Sequence, residues 1–181
     1  MKKFEEKTIR TETIYDGKVV KLQVDDVTLP DGKTSKRELI KHAGAVGIIP
    51  ITKDHKIVFV EQYRKPLEKS LVEIPAGKLE EGEDPLVTAL RELEEETGYT
   101  ASSPKFITSF YTSPGFADEI MYLYMAKDLE PIEHPAAGDD DEFIELIELT
   151  LDEAKQYVKD KKIHDAKTNY AILYLQTLER M

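Results

Sequence analysis

Apolar and polar residues alternate with a period of two through residues 8–42: Thr13-Ile14-Tyr15, then Val19 to Leu29, then Glu38 to Lys41. That period belongs to strands. Leu29-Pro30-Asp31-Gly32-Lys33 interrupts it with turn residues, so the pattern predicts a small antiparallel sheet ahead of the main domain. A sheet of that size needs a partner surface, either the main domain or another subunit. From Ala43 to Thr52 the chain is almost continuously apolar, as in a buried strand. Lys53-Asp54-His55-Lys56 turns it into a second strand, Ile57-Val58-Phe59-Val60, which Glu61-Gln62-Tyr63-Arg64 continues. Further strands are expected at Leu71 to Gly77, Lys105 to Tyr111, Ile120 to Ala126 and Phe143 to Ile147. Near the end, Thr150 and Glu153 form a capping box that opens a helix to about Lys159. A last helix covers Ala166 to Glu179, with Ile172, Leu173, Leu175 and Leu178 available for the core.

Between these strands the period shifts to that of a helix. Asp84 is an N-cap, Pro85 takes the first helical position, and Gly98 is a left-handed stop. Leu86, Ala89, Leu90, Leu93 and Thr97 recur at steps of three and four, which predicts one buried face. Thr88, Glu92, Glu95 and Glu96 fall on the other, with Arg91 at its edge. Glu92 and Glu96 stack one turn apart and repel. Glu94, Glu95 and Glu96 crowd the negative end of the helix dipole, where each misplaced charge matters by roughly 0.3–1 kcal/mol. A solvated acidic face is the bland alternative. The stacking and the dipole both argue instead for a hard divalent cation bound through carboxylate oxygens.

Composition narrows the partners. At 181 residues the chain suits one domain with a small extension. Its net charge of −11 repels nucleic-acid backbones. No apolar run approaches the roughly 18 residues of a membrane span. MKKFEEKTIR lacks the apolar core of a signal peptide. With no cysteine there is no disulfide, thiol nucleophile or zinc–thiolate site. A cytoplasmic enzyme fits all of this. His42, His55, His134 and His164 share no metal-ligand spacing and receive no role.

Gly77, Glu83, Arg91-Glu92-Leu93, Glu95-Glu96 and Gly98 stand at a spacing that resembles the Nudix box. Tyr99, where the box usually has an aliphatic residue, departs from it without touching the chemistry. The resemblance implies an α/β fold, a Nudix α/β/α sandwich with a mixed sheet over residues 43–181, preceded by the N-terminal sheet of residues 1–42. It implies hydrolysis of a nucleoside diphosphate linked to another group. Glu92, Glu95 and Glu96, with the Ala76 carbonyl, would then hold one to three divalent ions, Mg²⁺ or alternatively Mn²⁺, while Arg91 positions the glutamates.

Two further features resemble the ADP-ribose-cleaving group of that family. One is Glu73-Ile74-Pro75-Ala76-Gly77; the other is Pro114, the sixteenth residue past Gly98, where dinucleoside polyphosphate cleavers carry a tyrosine. The likeness implies ADP-ribose as substrate, with AMP and ribose 5-phosphate as products. Arg37 and Arg64 would reach the diphosphate with their planar forks. Pro114, Gly115 and Phe116 would contact the substrate, Phe116 closing over the nucleoside or merely packing. Glu119 would touch the ribose or the metal water. Glu73, in an apolar strand, must be paired or lie near the metal's water network. The acidic run Asp139 to Glu142 would supply a metal contact, matched to Glu142, and the general base, with Asp140 preferred to Asp141. The N-terminal sheet would pair subunits into a homodimer and help hold the adenine. GDP-mannose, or nucleoside-diphosphate sugars in general, are the alternative substrates. A non-catalytic ADP-ribose sensor of the same fold is the alternative from another class.

Overall fold

The computed structural model describes residues 3–80, 82–136 and 143–179. The expected N-terminal sheet is present as three consecutive antiparallel strands, β1 (Lys7–Asp16), β2 (Lys21–Thr28) and β3 (Thr34–Lys41). Gly32 closes the β2–β3 turn with a φ of 85°, donating its N–H to the Leu29 carbonyl at 2.9 Å. Strand β2 carries the buried positions, Val27 and Asp25. The Asp25 carboxylate accepts from Thr8 Oγ1 at 3.0 Å and Gln23 Nε2 at 3.2 Å, so its burial leaves it partnered. These strands form one compact unit with Tyr111–Ile120, tied in by Ile40, which donates to the Phe116 carbonyl and accepts from the Asp118 N–H.

The second unit takes in Ala45–Phe110 and the chain from Met121 on. Its elements in order are β4 (Ala45–Pro50), β5 (Ile57–Arg64), β6 (Lys69–Glu73), β7 (Ala76–Lys78), α1 (Pro85–Thr97), β8 (Tyr99–Thr100), β9 (Lys105–Tyr111), β10 (Ile120–Ala126), β11 (Glu130–Pro131), β12 (Ile144–Leu149), α2 (Leu151–Lys159) and α3 (Ala166–Glu179). One sheet runs β7-β4-β10-β9 and is mixed, with β4 parallel to β10 and antiparallel to β7. A second runs β12-β5-β6, antiparallel throughout, and β8 pairs with β11.

The two-residue period of the central strands sorts the core into two layers. Ile49, Ile57, Phe59, Leu123 and Met125 pack with Ala154, Ala171 and Ile172 of α2 and α3. Their chain neighbours Val46, Ile48, Val58, Tyr124 and Ala126 point the other way, onto Ala89 and Leu93 of α1. A sheet covered by helices on both faces is an α/β/α sandwich, as expected. Each large apolar side chain so buried contributes about 1.5–3 kcal/mol.

Two helices differ in part from the faces expected, although Ala89, Leu93 and Thr97 of α1 and Ile172 of α3 are buried as expected. In α1, Leu86 is exposed, while Thr88 and Glu96, assigned to the polar side, are buried with Ala89, Leu93 and Thr97. In α3, Thr168, Ala171 and Ile172 face inward and Leu173 and Leu178 outward. In each case a polar contact stands on the buried side and competes with hydrophobicity. Thr168 Oγ1 accepts the Ile74 N–H at 3.0 Å, and Glu96 has its own backbone partner. A buried N–H without an acceptor costs about 1–3 kcal/mol, as much as burying a leucine gains. No helix among the described residues is long and apolar enough to cross a membrane.

Candidate active site

Helix α1 starts where the sequence signals it. Asp84 accepts the Leu86 N–H at 2.8 Å, Pro85 follows, and Gly98 ends the helix at φ 69° with its N–H on the Glu94 carbonyl. The helix lies against β4 and β7. Its acidic residues are therefore held beside the short strand at Ala76–Lys78, and each has a defined place.

Arg91 is the hub. Its Nε and Nη2 reach the two Glu83 oxygens at 3.3 and 3.2 Å, and Nη1 donates to Glu92 Oε1 at 2.8 Å and Glu95 Oε2 at 3.0 Å. Nη2 also touches the Lys78 carbonyl at 3.4 Å. One guanidinium thus gathers three carboxylates and a strand carbonyl, which its five donors allow. The Arg91 fork, helped by the Thr88 hydroxyl at 2.7 Å, pulls the Glu83 carboxyl down to about 2. The Glu83 pairing in turn raises Arg91 further above its ordinary range. Glu83 was legible only as a box position. Its partner Thr88 lacked any signal, because a threonine on a polar helix face is ordinary.

Glu96 is 8 % exposed and accepts the Ala76 N–H at 2.9 Å, tying the helix to the strand next to the box glycine. Gly77 has a steric reason to be glycine: a Cβ built on it would overlap the Glu92 carboxylate. Glu92, Glu95 and Glu96 thus stand at the edge of β7. The side-chain donors are all carboxylate oxygens, which suits a hard divalent cation and not zinc or copper. Among the described residues no three acidic or imidazole side chains form a ready-made cage. Arg91 draws Glu92 and Glu95 to itself, and Glu96 is engaged with Ala76. The set fits an ion that would take over some of these oxygens.

The same unit holds Arg64 and Glu73. Glu73 is only 2 % exposed, and Arg64 grips it with Nε on Oε1 at 2.7 Å and Nη2 on Oε2 at 2.8 Å. Lys167 also bonds Oε2. Burial pushes the Glu73 carboxyl up, but the two cations outweigh it and the net direction is down. The sequence required Glu73 to be paired. It offered no sign of Lys167, ninety-four residues away.

The other expected substrate contacts belong to the first unit. Arg37 forms a fork with Glu6, Nε to Oε2 at 2.8 Å and Nη2 to Oε1 at 2.6 Å, and its Nη1 bonds Ser35 Oγ and the Lys36 carbonyl. Pro114, Gly115 and Phe116 form the turn after β9, where the Phe116 and Ala117 N–H groups both donate to the Ser113 carbonyl. Phe116 exposes its ring, and Glu119 accepts from Thr112 Oγ1. Asp140, Asp141 and Glu142 lie outside the described residues.

Residues 41–170 match the model of the NUDIX domain, and residues 6–40 that of the nucleoside diphosphate sugar hydrolase N-terminal domain. The chain is 66 % identical to the methanol dehydrogenase activator of Bacillus methanolicus, over 99 % of this chain and 97 % of that one. It is 56 % identical to the ADP-ribose pyrophosphatase of Bacillus subtilis (strain 168), over 100 % of this chain and 98 % of the relative. A GDP-mannose pyrophosphatase of Escherichia coli is 32 % identical over 86 % of each chain. Among solved structures, an ADP compounds hydrolase superposes with a TM-score of 0.85 at 21 % identity, covering 97 % of this chain and 95 % of that one, which establishes the likeness of fold. The glutamates and arginine on α1, the glycine that admits Glu92 and the match over residues 41–170 make this chain a member of the Nudix family.

Proposed function

We propose that the protein is an ADP-ribose pyrophosphatase: it hydrolyses the diphosphate of ADP-ribose to AMP and ribose 5-phosphate. The observation that carries the chemistry is the Arg91 hub, with Glu92 against bare Gly77 and Glu96 on the Ala76 N–H. The substrate follows the pyrophosphatase relative, which the chain matches end to end.

Hydrolases of this family generally need divalent metal ions. Here Mg²⁺ or Mn²⁺, one to three ions per site, would be held by Glu92, Glu95, Glu96 and the Ala76 carbonyl, with Glu142 as a further contact. When bound, it neutralises charge on the diphosphate oxygens and lowers the pKa of a water. Arg91 gathers the glutamates and holds them in register. Arg64 and Arg37 anchor the diphosphate, Arg37 by giving up part of its fork to Glu6. Pro114, Gly115, Phe116 and Glu119 meet the nucleoside and ribose, with Glu73 orienting Arg64. Asp140 takes the proton of the attacking water, with Asp141 as the second choice. The enzyme works in the cytoplasm.

The test is product release from a panel with Mg²⁺: ADP-ribose, ADP-glucose, GDP-mannose, a diadenosine polyphosphate and a nucleoside triphosphate. Preference for ADP-ribose, lost on addition of chelator, is expected. A preference for GDP-mannose would transfer the substrate assignment to the relatives of that name. The identity with the methanol dehydrogenase activator favours a second, compatible reading, in which the same hydrolase stimulates a methanol dehydrogenase. Adding the protein to that enzyme tests it directly.

The N-terminal sheet pairs two copies into a homodimer. In support, every residue of β1 is exposed, Ile9, Ile14 and Tyr15 among them. Ile9→Glu with Ile14→Glu is expected to give a monomer by light scattering. A dimer that survives both charges would rule out β1 as the contact.

A further inference from the structure

Behind Arg64 stands a row of charges of alternating sign: Arg64, Glu73, Lys167 and Asp165. It begins at the end of β5 and passes through the last residue of β6 to the start of α3. Lys167 Nζ bonds Glu73 Oε2 and lies 3.1 Å from Asp165 Oδ1. Asp165 caps α3, accepting the Thr168 N–H at 3.0 Å, so its charge rests on the positive end of that helix. Exposure is least in the middle of the row: the Arg64 side chain is 37 % exposed, Glu73 3 %, Lys167 11 % and Asp165 18 %. Arg64 is the most exposed of the four. Its basicity is raised first by the Glu73 fork, with the Glu96 carboxylate among the smaller contributors, which sets Arg64 within electrostatic reach of the box helix.

An arginine locked to one carboxylate is a neutral pair and attracts an anion weakly. Lys167 changes that sum. The four charges sum to zero, but Asp165 meets Lys167 3.1 Å from Nζ on the side away from Arg64, so the group nearest the guanidinium, Arg64 with Glu73 and Lys167, is net positive. The second cation on Oε2 also fixes the plane of the Glu73 carboxylate, and through the fork the plane of the guanidinium. Nη1, which takes no part in the fork and has no hydrogen bond among the described residues, is then placed to meet a phosphate.

We propose that Lys167 is a positioning residue for diphosphate recognition, acting through Glu73 on Arg64. The proposal rests on the pyrophosphatase reading above, and assigns Lys167 no contact with substrate. A merely structural lysine would stabilise Glu73 to the same extent whether or not Arg64 were present.

The experiment is a double-variant cycle on the full-length protein, with ADP as the probe in calorimetry with chelator present and ADP-ribose as the substrate in kinetics. Lys167→Met is expected to weaken ADP binding by about fivefold to tenfold, and to raise KM similarly with kcat within about twofold. In an Arg64→Ala background the same change should cost almost nothing further. Equal losses in both backgrounds, unchanged ADP affinity in Lys167→Met, or no ADP binding by the wild-type protein would overturn the proposal. Should Lys167→Met fail to fold, Glu73→Gln with Lys167→Met removes the carboxylate together with its cation. That pair is expected to fold and still bind ADP weakly; wild-type affinity there would also overturn the proposal. A wild-type protein that binds ADP but leaves ADP-ribose intact would sink the substrate assignment alone, because the binding cycle still judges Lys167.

Discussion

Glu96→Gln is expected to lower kcat on ADP-ribose by about 10²–10³-fold with the fold intact. The amide keeps the size of the side chain and an oxygen that can accept the Ala76 N–H, the bond that ties α1 to β7. It loses the negative charge, which is what a divalent ion would require. The Ala76 bond and the side-chain volume are kept, so the folded structure is expected to survive the change. The informative result is the combination: a melting temperature near that of the wild type, with turnover lost and not restored by more metal. Near-normal turnover would remove Glu96 from the metal site and leave it as a strut between helix and strand.

Arg91→Met should reduce both stability and activity. Three carboxylates, Glu83, Glu92 and Glu95, lose the cation they share, and Glu92 and Glu95 sit near the wrong end of the helix dipole. Because the Arg91 side chain is partly exposed, the loss should be about 1–3 kcal/mol and not the full penalty of a buried pair. The pH dependence gives the signature. Glu83 titrates at about 2 in the folded chain against its usual 4.5, so its pairing stabilises fully above about pH 4.5. That contribution is lost as pH falls through the folded value. Wild type and Arg91→Met should therefore differ most near neutral pH and converge toward about pH 2, as read by denaturant midpoints across the range. A difference independent of pH would mean that Arg91 acts through packing.

Most of the architecture was legible in the chain itself. Strand and helix periods located the long strands and the three helices, because burial on one or both faces leaves a repeat of two, or of three and four; the two-residue strands β8 and β11, and the break of Leu71–Gly77 into β6 and β7 of different sheets, are too short to leave one. The turn at Gly32, the Thr150–Glu153 box, Asp84, Pro85 and Gly98 marked ends through local backbone chemistry. The box itself could be read because its parts lie within one helix and the loop before it, where spacing is geometry. Three things needed the tertiary structure. How far round α1 the buried face extends was decided by β7, whose Ala76 N–H claims Glu96; hydrophobicity gave Ala89, Leu93 and Thr97 but included Leu86, which is exposed. That Gly77 must be bare was decided by the approach of Glu92 across the helix–strand contact. And the pairing of Glu73 with both Arg64 and Lys167 joins two strands to a helix far along the chain. A buried carboxylate demands compensation, so sequence can say that partners exist. It cannot say which of 25 cations the fold will bring, because that contact has no period and no fixed spacing.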